Sequence, residues 1–482
     1  MPIAQVLSDL ASESPDSPAV TFGDRTVTRG ELEVAANALA AAYDRLGVGH
    51  GDTVTITLPN GIEFVAATMA VWKLGAVPQP LSSQLPSLER RAIVDLATPR
   101  LIIGVPPEDH PGVATIPVGF VADPFLELPE IPPDRVSPAW KIMTSGGSTG
   151  RPKLIVSGTN GEISPDTGRV FGMRPGGVVL VPGPVYHNAP FQWLWFGLWL
   201  GGHVVLLPKF DALDALDAIE RRRVEVVNLV PTMMSRMLRA MEASSRAFDL
   251  SSLKVVWHMG APCPPWVKQA WIELLGGDRL VEVYGGAEGS AVTMITGTEW
   301  LTHRGSVGRP VSGEMRILDP NFAELPAGQV GEIFMRRPKG APATYRYVGA
   351  EARERDGWES LGDLGWMDDD GYVYISDRRV DMIVAGGANI YPAEVEAALS
   401  EHPGVESAIA VGLPDADLGQ RVHAVVQARG EVTEAELLAF LASRLVRYKI
   451  PRSIRFVDEP LRDDAGKVRR SAIREREIEL QS

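Results

Sequence analysis

Residues 144–153 read Thr-Ser-Gly-Gly-Ser-Thr-Gly-Arg-Pro-Lys, with a strand-like apolar run at 140–143 before them and another at 154–156 after. Three glycines free the backbone to turn with positive φ and to bring its N–H groups close to an anion. Ser148 and Thr149 add hydroxyl donors and Lys153 a cation, so the stretch is expected to form a phosphate cradle between two strands. Pro152 separates it from the ordinary P-loop, because that pattern needs Gly-Lys-Ser/Thr opening a helix and proline has no place inside one. Alone, a Gly/Ser/Thr run is more often a surface turn than a nucleotide site.

At 482 residues the chain exceeds what one hydrophobic core supports, and two or more domains are expected. Its 45% hydrophobic content allows a large buried interior. The formal charge of −14 argues against nucleic acid as the main partner, since a phosphate backbone needs a basic surface. A single cysteine, Cys263, excludes an internal disulfide and a cysteine-rich zinc site. No charged-then-apolar leader opens the sequence, so the expected setting is cytoplasmic. Residues 189–207 are the most membrane-like run, yet Pro190, Gln192, His203 and three glycines punctuate it. It reads as a buried helix, a turn at Gly201-Gly202 and a strand at 203–207 rather than a span.

Thr28 and Glu31 form a capping-box pattern, after which Leu32, Ala35, Ala36, Leu39, Tyr43 and Leu46 recur at helical spacing up to Gly47. A strand at 54–58, helices at 64–74 and 87–96 and a strand at 101–103 continue an alternation that predicts parallel α/β layers. Residues 106–133 are proline-rich and read as a connection. A second α/β round follows, with strands at 178–181, 204–207, 224–230 and 254–258 and helices at 213–222 and 232–241. From Gly305 short strands and turns take over, at 315–318, 331–335 and 372–375. The last hundred residues form a smaller α/β unit with a helix at 392–400, strands at 407–411 and 422–427, and a helix capped by Thr433 and Glu436. The fold class is therefore α/β, with a large N-terminal domain (1–377) of layered α/β subdomains plus a β-rich subdomain, and a small C-terminal α/β domain (378–482).

Ten further motifs occur in order along nearly the whole chain. They are Lys73-Leu74-Gly75-Ala76-Val77, Pro184-Val185-Tyr186-His187, Gly260-Ala261-Pro262, Tyr284-Gly285-Gly286-Ala287-Glu288, the run 305–310, Gly331-Glu332-Ile333, Gly362-Asp363-Leu364-Gly365, Asp377-Arg378, Gly386-Gly387 with the stretch up to Glu396, and Gly466-Lys467. With the 144–153 loop, this set resembles the adenylate-forming superfamily in its acyl-CoA synthetase branch. The loop form itself is similar to that of bacterial ligases of bile acids, steroid side chains and polycyclic terpenoid acids.

The resemblance implies an acid–thiol ligase that uses ATP, or a preformed acyl-adenylate, with Mg²⁺ and coenzyme A. Its partners would be a small carboxylic acid and CoA, with no nucleic acid and no membrane span, and a homodimer stays open. Lys467 would bridge carboxylate and phosphate, Glu288 would hold Mg²⁺, and His187 would stand between the acyl pocket and the thiol's approach. Ser148, Thr149 and Lys153 would steady pyrophosphate, while Gly260, Ala261, Tyr284 and Gly285 border the nucleotide, Asp363 accepts from the ribose hydroxyls and Arg378 donates nearby. His187, Trp193, Val230, Trp257 and Gly286 would border the acyl group. Gly386-Gly387 would guide the pantetheine arm once the small domain, mobile about a hinge near 377–381 at Val380, has rotated. Outside that company, Lys467 reads as a solvated turn lysine, Glu288 as a surface carboxylate and His187 as a satisfied core histidine.

Residues 188–200 contain no acidic side chain to hold a substrate ammonium, which points to a bulky apolar acid; Phe196, Trp199, Met233 and Met234 are further candidates for its pocket. Four positions depart from the family pattern: Ala287 for a phosphate-binding Thr, Val380 for the usual Asp or Lys of the hinge, Leu361 for a Thr, and Gly146 for a Ser. They point to a weak adenylation step. A thioester-forming enzyme fed a preformed acyl-adenylate is the close alternative, and a non-catalytic acyl-adenylate or nucleotide binder the alternative from another class.

Overall fold

The computed structural model describes residues 1–123, 135–146, 152–463 and 466–480. Its largest sheet has nine strands among the described residues, in the order Arg309–Ser312, Val292–Thr296, Leu280–Tyr284, Val255–His258, Val226–Leu229, Val178–Val181, His203–Leu206, Pro18–Phe22 and Arg25–Thr28. The six strands from Leu280–Tyr284 to Pro18–Phe22 pair parallel, and antiparallel strands close both edges. A parallel sheet is buried on both faces, which is why Val178–Val181 and Val226–Leu229 are continuous apolar runs. A second parallel sheet orders Val77–Pro80, Thr53–Ile56, Leu101–Ile103 and Ala114–Ile116.

The helix Asn188–Trp199 lies between these layers and is apolar nearly all round, as a fully enclosed helix must be. Trp72, Phe191, Trp195 and Trp199 pack on one side of it, with the Trp72 and Trp195 rings 4.5 Å apart. Gly197 lets it settle on the sheet: a Cβ there would come within 3.2 Å of both Val179 and Val204. The capping box at Thr28 is formed, the Glu31 N–H donating to Oγ1 at 3.2 Å and the Glu31 carboxylate accepting from the Thr28 N–H at 2.8 Å.

A three-stranded antiparallel sheet joins Tyr345–Val348, Pro152–Ser157 and Ile142–Gly146, so the strands on either side of the glycine-rich stretch are hydrogen-bonded to each other. Ser148 and Thr149 lie outside the described residues, as do 124–134 of the proline-rich connection. A five-stranded antiparallel sheet follows, in which Trp358–Met367 pairs with Val373–Arg378 and sets Asp363 opposite Arg378. Beyond it, Ile383 to Ile478 close around apolar clusters of their own under the sheet Val405–Asp415, Gly419–Ala428 and Ser453–Val457.

Several elements differ from the expectation. The helix Pro265–Leu275 and the antiparallel strand Val292–Thr296 were not expected. The terminal helix Arg470–Glu479 has no apolar stripe to betray it, because its buried anchor is a carboxylate: Glu477 accepts from His423 at 3.2 Å and from Arg455 at 2.8 Å. Strand Val405–Asp415 runs well past 407–411, through Pro414. No described helix is long and apolar enough to cross a membrane.

Candidate active site

Four neighbouring parallel strands, Val178–Val181, Val226–Leu229, Val255–His258 and Leu280–Tyr284, end on one side of the large sheet. In open α/β sheets the crevice outside these carboxyl ends is where ligands are held. Val230 and Gly285–Glu288 follow two of the strands directly, Gly260-Ala261 follow a third after Met259, and the turn 184–187 follows the fourth. Asn60 pins that turn: its amide donates to Gly183 O at 3.0 Å and Leu207 O at 2.9 Å, and its carbonyl accepts from the Val185 N–H. Gly260 turns at φ 86°, and a Cβ there would touch Val230 at 3.7 Å.

The Tyr284 hydroxyl donates to Asp363 Oδ2 at 2.8 Å, and Arg378 Nε lies 3.5 Å from Asp363 Oδ1. The two antiparallel strands that carry Asp363 and Arg378 are thus tied to the end of the parallel sheet. Burial and the adjacent Asp363 carboxylate push the Tyr284 phenol well above its ordinary value, so it is a permanent donor.

Glu288 is buried, accepts from the Tyr347 hydroxyl at 2.6 Å and lies 3.5 Å from Lys153 Nζ. The same ammonium sits 3.9 Å above the Tyr347 ring, so one tyrosine holds the cation by its face and the carboxylate by its hydroxyl. Gly286 presses on this group: a Cβ there would meet Glu288 Oε2 at 2.4 Å and Leu361 at 2.7 Å. Gly286 therefore borders the carboxylate. Tyr347 was not expected, although Tyr345 and Tyr347 at a spacing of two on a strand must share a face. Tyr345 donates to Glu359, which also accepts from Ser290 at 2.7 Å.

His187 precedes the helix Asn188–Trp199, its Nε2 buried without a hydrogen-bond partner among the described residues. Desolvation pushes the imidazole down to about 3, with the charge of Lys467 a second cause, so the ring is neutral at working pH. Past it, Trp193, Phe171 and Trp257 cluster with ring centroids 5.0–5.9 Å apart, and Phe171 also stacks on Phe196. Trp199 meets only the edge of this cluster, its ring 5.6 Å from Phe196, and otherwise turns to Trp72 and Trp140, while Met234 belongs to the core on the far side of the sheet. A second unexpected residue is Lys141, buried with its amine on the Asn188 side-chain oxygen and 3.9 Å from the Trp140 ring. Its signal is a charge inside an apolar run.

Lys467 reaches the crevice from the small domain. Gly466 is seated on the helix Pro231–Ala243, where a Cβ would meet Thr232 Oγ1 at 2.4 Å and Val230 at 3.2 Å. Arg462 donates to Gly466 O at 3.3 Å, and Asp463 accepts from the Lys467 N–H at 2.8 Å, so the turn is held from both flanks. Lys467 keeps exposed surface, yet desolvation in the crevice lowers its ammonium from the ordinary value, with Asp463 opposing and Arg378 adding to the fall. Gly386 and Gly387, with φ 56° and 81°, form the exposed turn between Ile383–Ala385 and Ala388–Ile390, and a Cβ on Gly387 would meet nothing within 4 Å. Val380 is exposed, while the neighbouring Asp377 is buried and accepts from the N–H groups of Arg378 and Ala393. Burial raises the Asp377 carboxyl to about 6, against those two hydrogen bonds.

Known proteins share this fold. Residues 7–345 match the AMP-binding enzyme family and residues 394–467 the AMP-binding enzyme C-terminal domain. A 2-succinylbenzoate–CoA ligase of Bacillus licheniformis is 31% identical over 96% of this chain and 98% of its own. A feruloyl-CoA synthase of an Amycolatopsis species is 33% identical over 97% of each chain. The fold superposes on an o-succinylbenzoate CoA synthetase of Bacillus subtilis in complex with its acyl-adenylate intermediate, with a TM-score of 0.82, 27% identity and 98% of both chains covered. The chain therefore belongs to the AMP-binding enzyme family, among its acyl-CoA ligases.

Proposed function

We propose that this ligase activates an aromatic or otherwise bulky, mostly apolar carboxylic acid as its adenylate and passes the acyl group to CoA, with a weak first step. The observation that supports it most directly is the seat of the Lys467 turn: Gly466 rests on Thr232 and Val230 at the ends of the parallel strands, which brings the Lys467 cation near enough to His187 to help lower its imidazole. In the first half-reaction a carboxylate oxygen attacks the α-phosphorus of ATP and pyrophosphate leaves; in the second the CoA thiolate sulfur attacks the acyl carbon and AMP leaves.

Both steps crowd anions together, so the residues' work is charge compensation and orientation. Lys467 bridges the acid and the α-phosphate, Asp363 accepts from the ribose hydroxyls, and Lys153 with the 147–151 loop meets the departing pyrophosphate. The buried Thr144 hydroxyl and His187 Nε2, both without partners among the described residues, are groups that a bound ligand would satisfy. Magnesium, when bound, neutralises phosphate charge, with Glu288 as its protein ligand. One buried carboxylate suits an ion that takes most of its ligands from phosphate and water. An imidazole that titrates near 3 is a poor base for a thiol, so His187 orients and gates rather than deprotonates.

Ala287 removes a hydroxyl beside Glu288, and a hydrogen bond to a charged group contributes roughly 1.5–3 kcal/mol, or about 10- to 150-fold in rate. The Tyr347 hydroxyl holds Glu288 itself and does not replace a donor to phosphate. Absence of an acidic residue from 188–200, the Trp193–Trp257 cluster and the aromatic acids named for the relatives support the substrate class. A panel of acids read by thioester mass tests it, with the polycyclic acids suggested by the loop form as its bulkiest members. Aromatic and polycyclic acids are expected to outrank acetate and amino acids; preference for a free amino acid would overturn the assignment.

A further inference from the structure

The helix Pro231–Ala243 touches the small domain at two heights. Its first turn carries Thr232, against which Gly466 is seated. About two turns on, and so on the same face, is Arg239. Its guanidinium donates to Val405 O at 2.9 Å, to Glu406 O at 3.3 Å and to the Glu406 carboxylate at 3.3 Å. Arg236 Nε stands 3.7 Å from the other Glu406 oxygen, Arg429 of the small domain orients the same carboxylate by donating from Nε at 3.1 Å, and Trp266 Nε1 donates to Ser400 at 3.4 Å just beyond. The Arg239 and Glu406 side chains are only 11% and 20% exposed, whereas the outlying Arg469–Glu89 pair is 69% and 34% exposed and is a rim contact.

We propose that Arg239 and Glu406 form the latch that holds the small domain with Lys467 in the crevice, and that they act as positioning residues for adenylation but not for thioester formation. This rests on the two-step reading above. Strand Val405–Asp415 and the Lys467 turn belong to the same small domain, so fixing one on the helix fixes the other. Two peptide carbonyls and one carboxylate on a single planar fork leave little freedom of orientation, which a lone Lys467 contact does not provide. Any rotation that brings Gly386-Gly387 to the crevice must break all three bonds.

The test measures the half-reactions separately in the full-length enzyme: acid-dependent ATP–pyrophosphate exchange, and CoA thioester formation from synthetic acyl-adenylate. R239Q and E406Q are each expected to slow exchange about tenfold or more while thioester formation from the adenylate is unchanged or faster, with R239K recovering part of the exchange. Equal loss in both half-reactions, or loss in neither, would overturn the latch. Should R239Q fail to fold by thermal melting, E406Q carries the same comparison from the other side. If the unaltered enzyme supports neither half-reaction, the two-step reading has failed rather than the latch.

Discussion

Lys141 shows how much one residue departs from its surroundings. It is buried among Trp140, Phe191 and Asn188 with no carboxylate against its amine among the described residues, and desolvation lowers that amine well below the ordinary value. In the unfolded chain the same amine titrates near 10.4. Between the two values the unfolded state binds the extra proton, so this residue's penalty is absent above about pH 10.4 and grows as pH falls toward the folded value. K141M should therefore flatten the rise of melting temperature between pH 7 and 10 that this residue is expected to give the unaltered protein. Identical slopes would mean that Lys141 keeps its proton in the fold. At this scale the sequence was partly legible. Asp363, Glu288 and Lys467 could be named because each stands in a motif, but Tyr347, Lys141 and Asn60 act through contacts between distant segments, for which one chain read alone carries no spacing rule. His187 was named, but its neutrality comes from burial that only the packed helix supplies.

At the scale of elements, the parallel strands and the aromatic helix were readable because buried strands are continuous apolar runs and because Gly201 ends the helix in a left-handed turn at φ 72°. The terminal helix was not, since a carboxylate rather than an apolar stripe anchors it. The Gly386-Gly387 turn makes a sharper test. Both residues adopt positive φ, where a side chain costs roughly 1–2 kcal/mol, yet a side chain on Gly387 would point into open space. G387W is thus expected to melt within a few degrees of the unaltered protein and to keep pyrophosphate exchange. If the turn swings to the crevice for the second step, the same variant should lose thioester formation by at least tenfold. Equal loss of both activities would assign the turn a purely structural part.

The whole molecule is a large N-terminal unit and a small C-terminal one, and the smaller brings the Lys467 turn to the crevice of the larger. The order of motifs made this plan legible from sequence, but the surface on which the small unit rests was not, because Arg239 and Glu406 look like ordinary solvated charges until the helix and the strand are brought together. The central claim is that this chain makes the thioester through an adenylate, with the first step the slower because Ala287, Gly146 and Val380 depart from the family pattern. The most direct measurement supplies a favoured acid with ATP, Mg²⁺ and CoA in one reaction and its synthetic acyl-adenylate with CoA in another, and follows the acyl-CoA by mass spectrometry. The expected result is thioester in both, formed at least tenfold faster from the adenylate. Equal rates would contradict the weak first step, product only from the adenylate would leave a thioesterification enzyme, and no thioester in either would contradict the account as a whole.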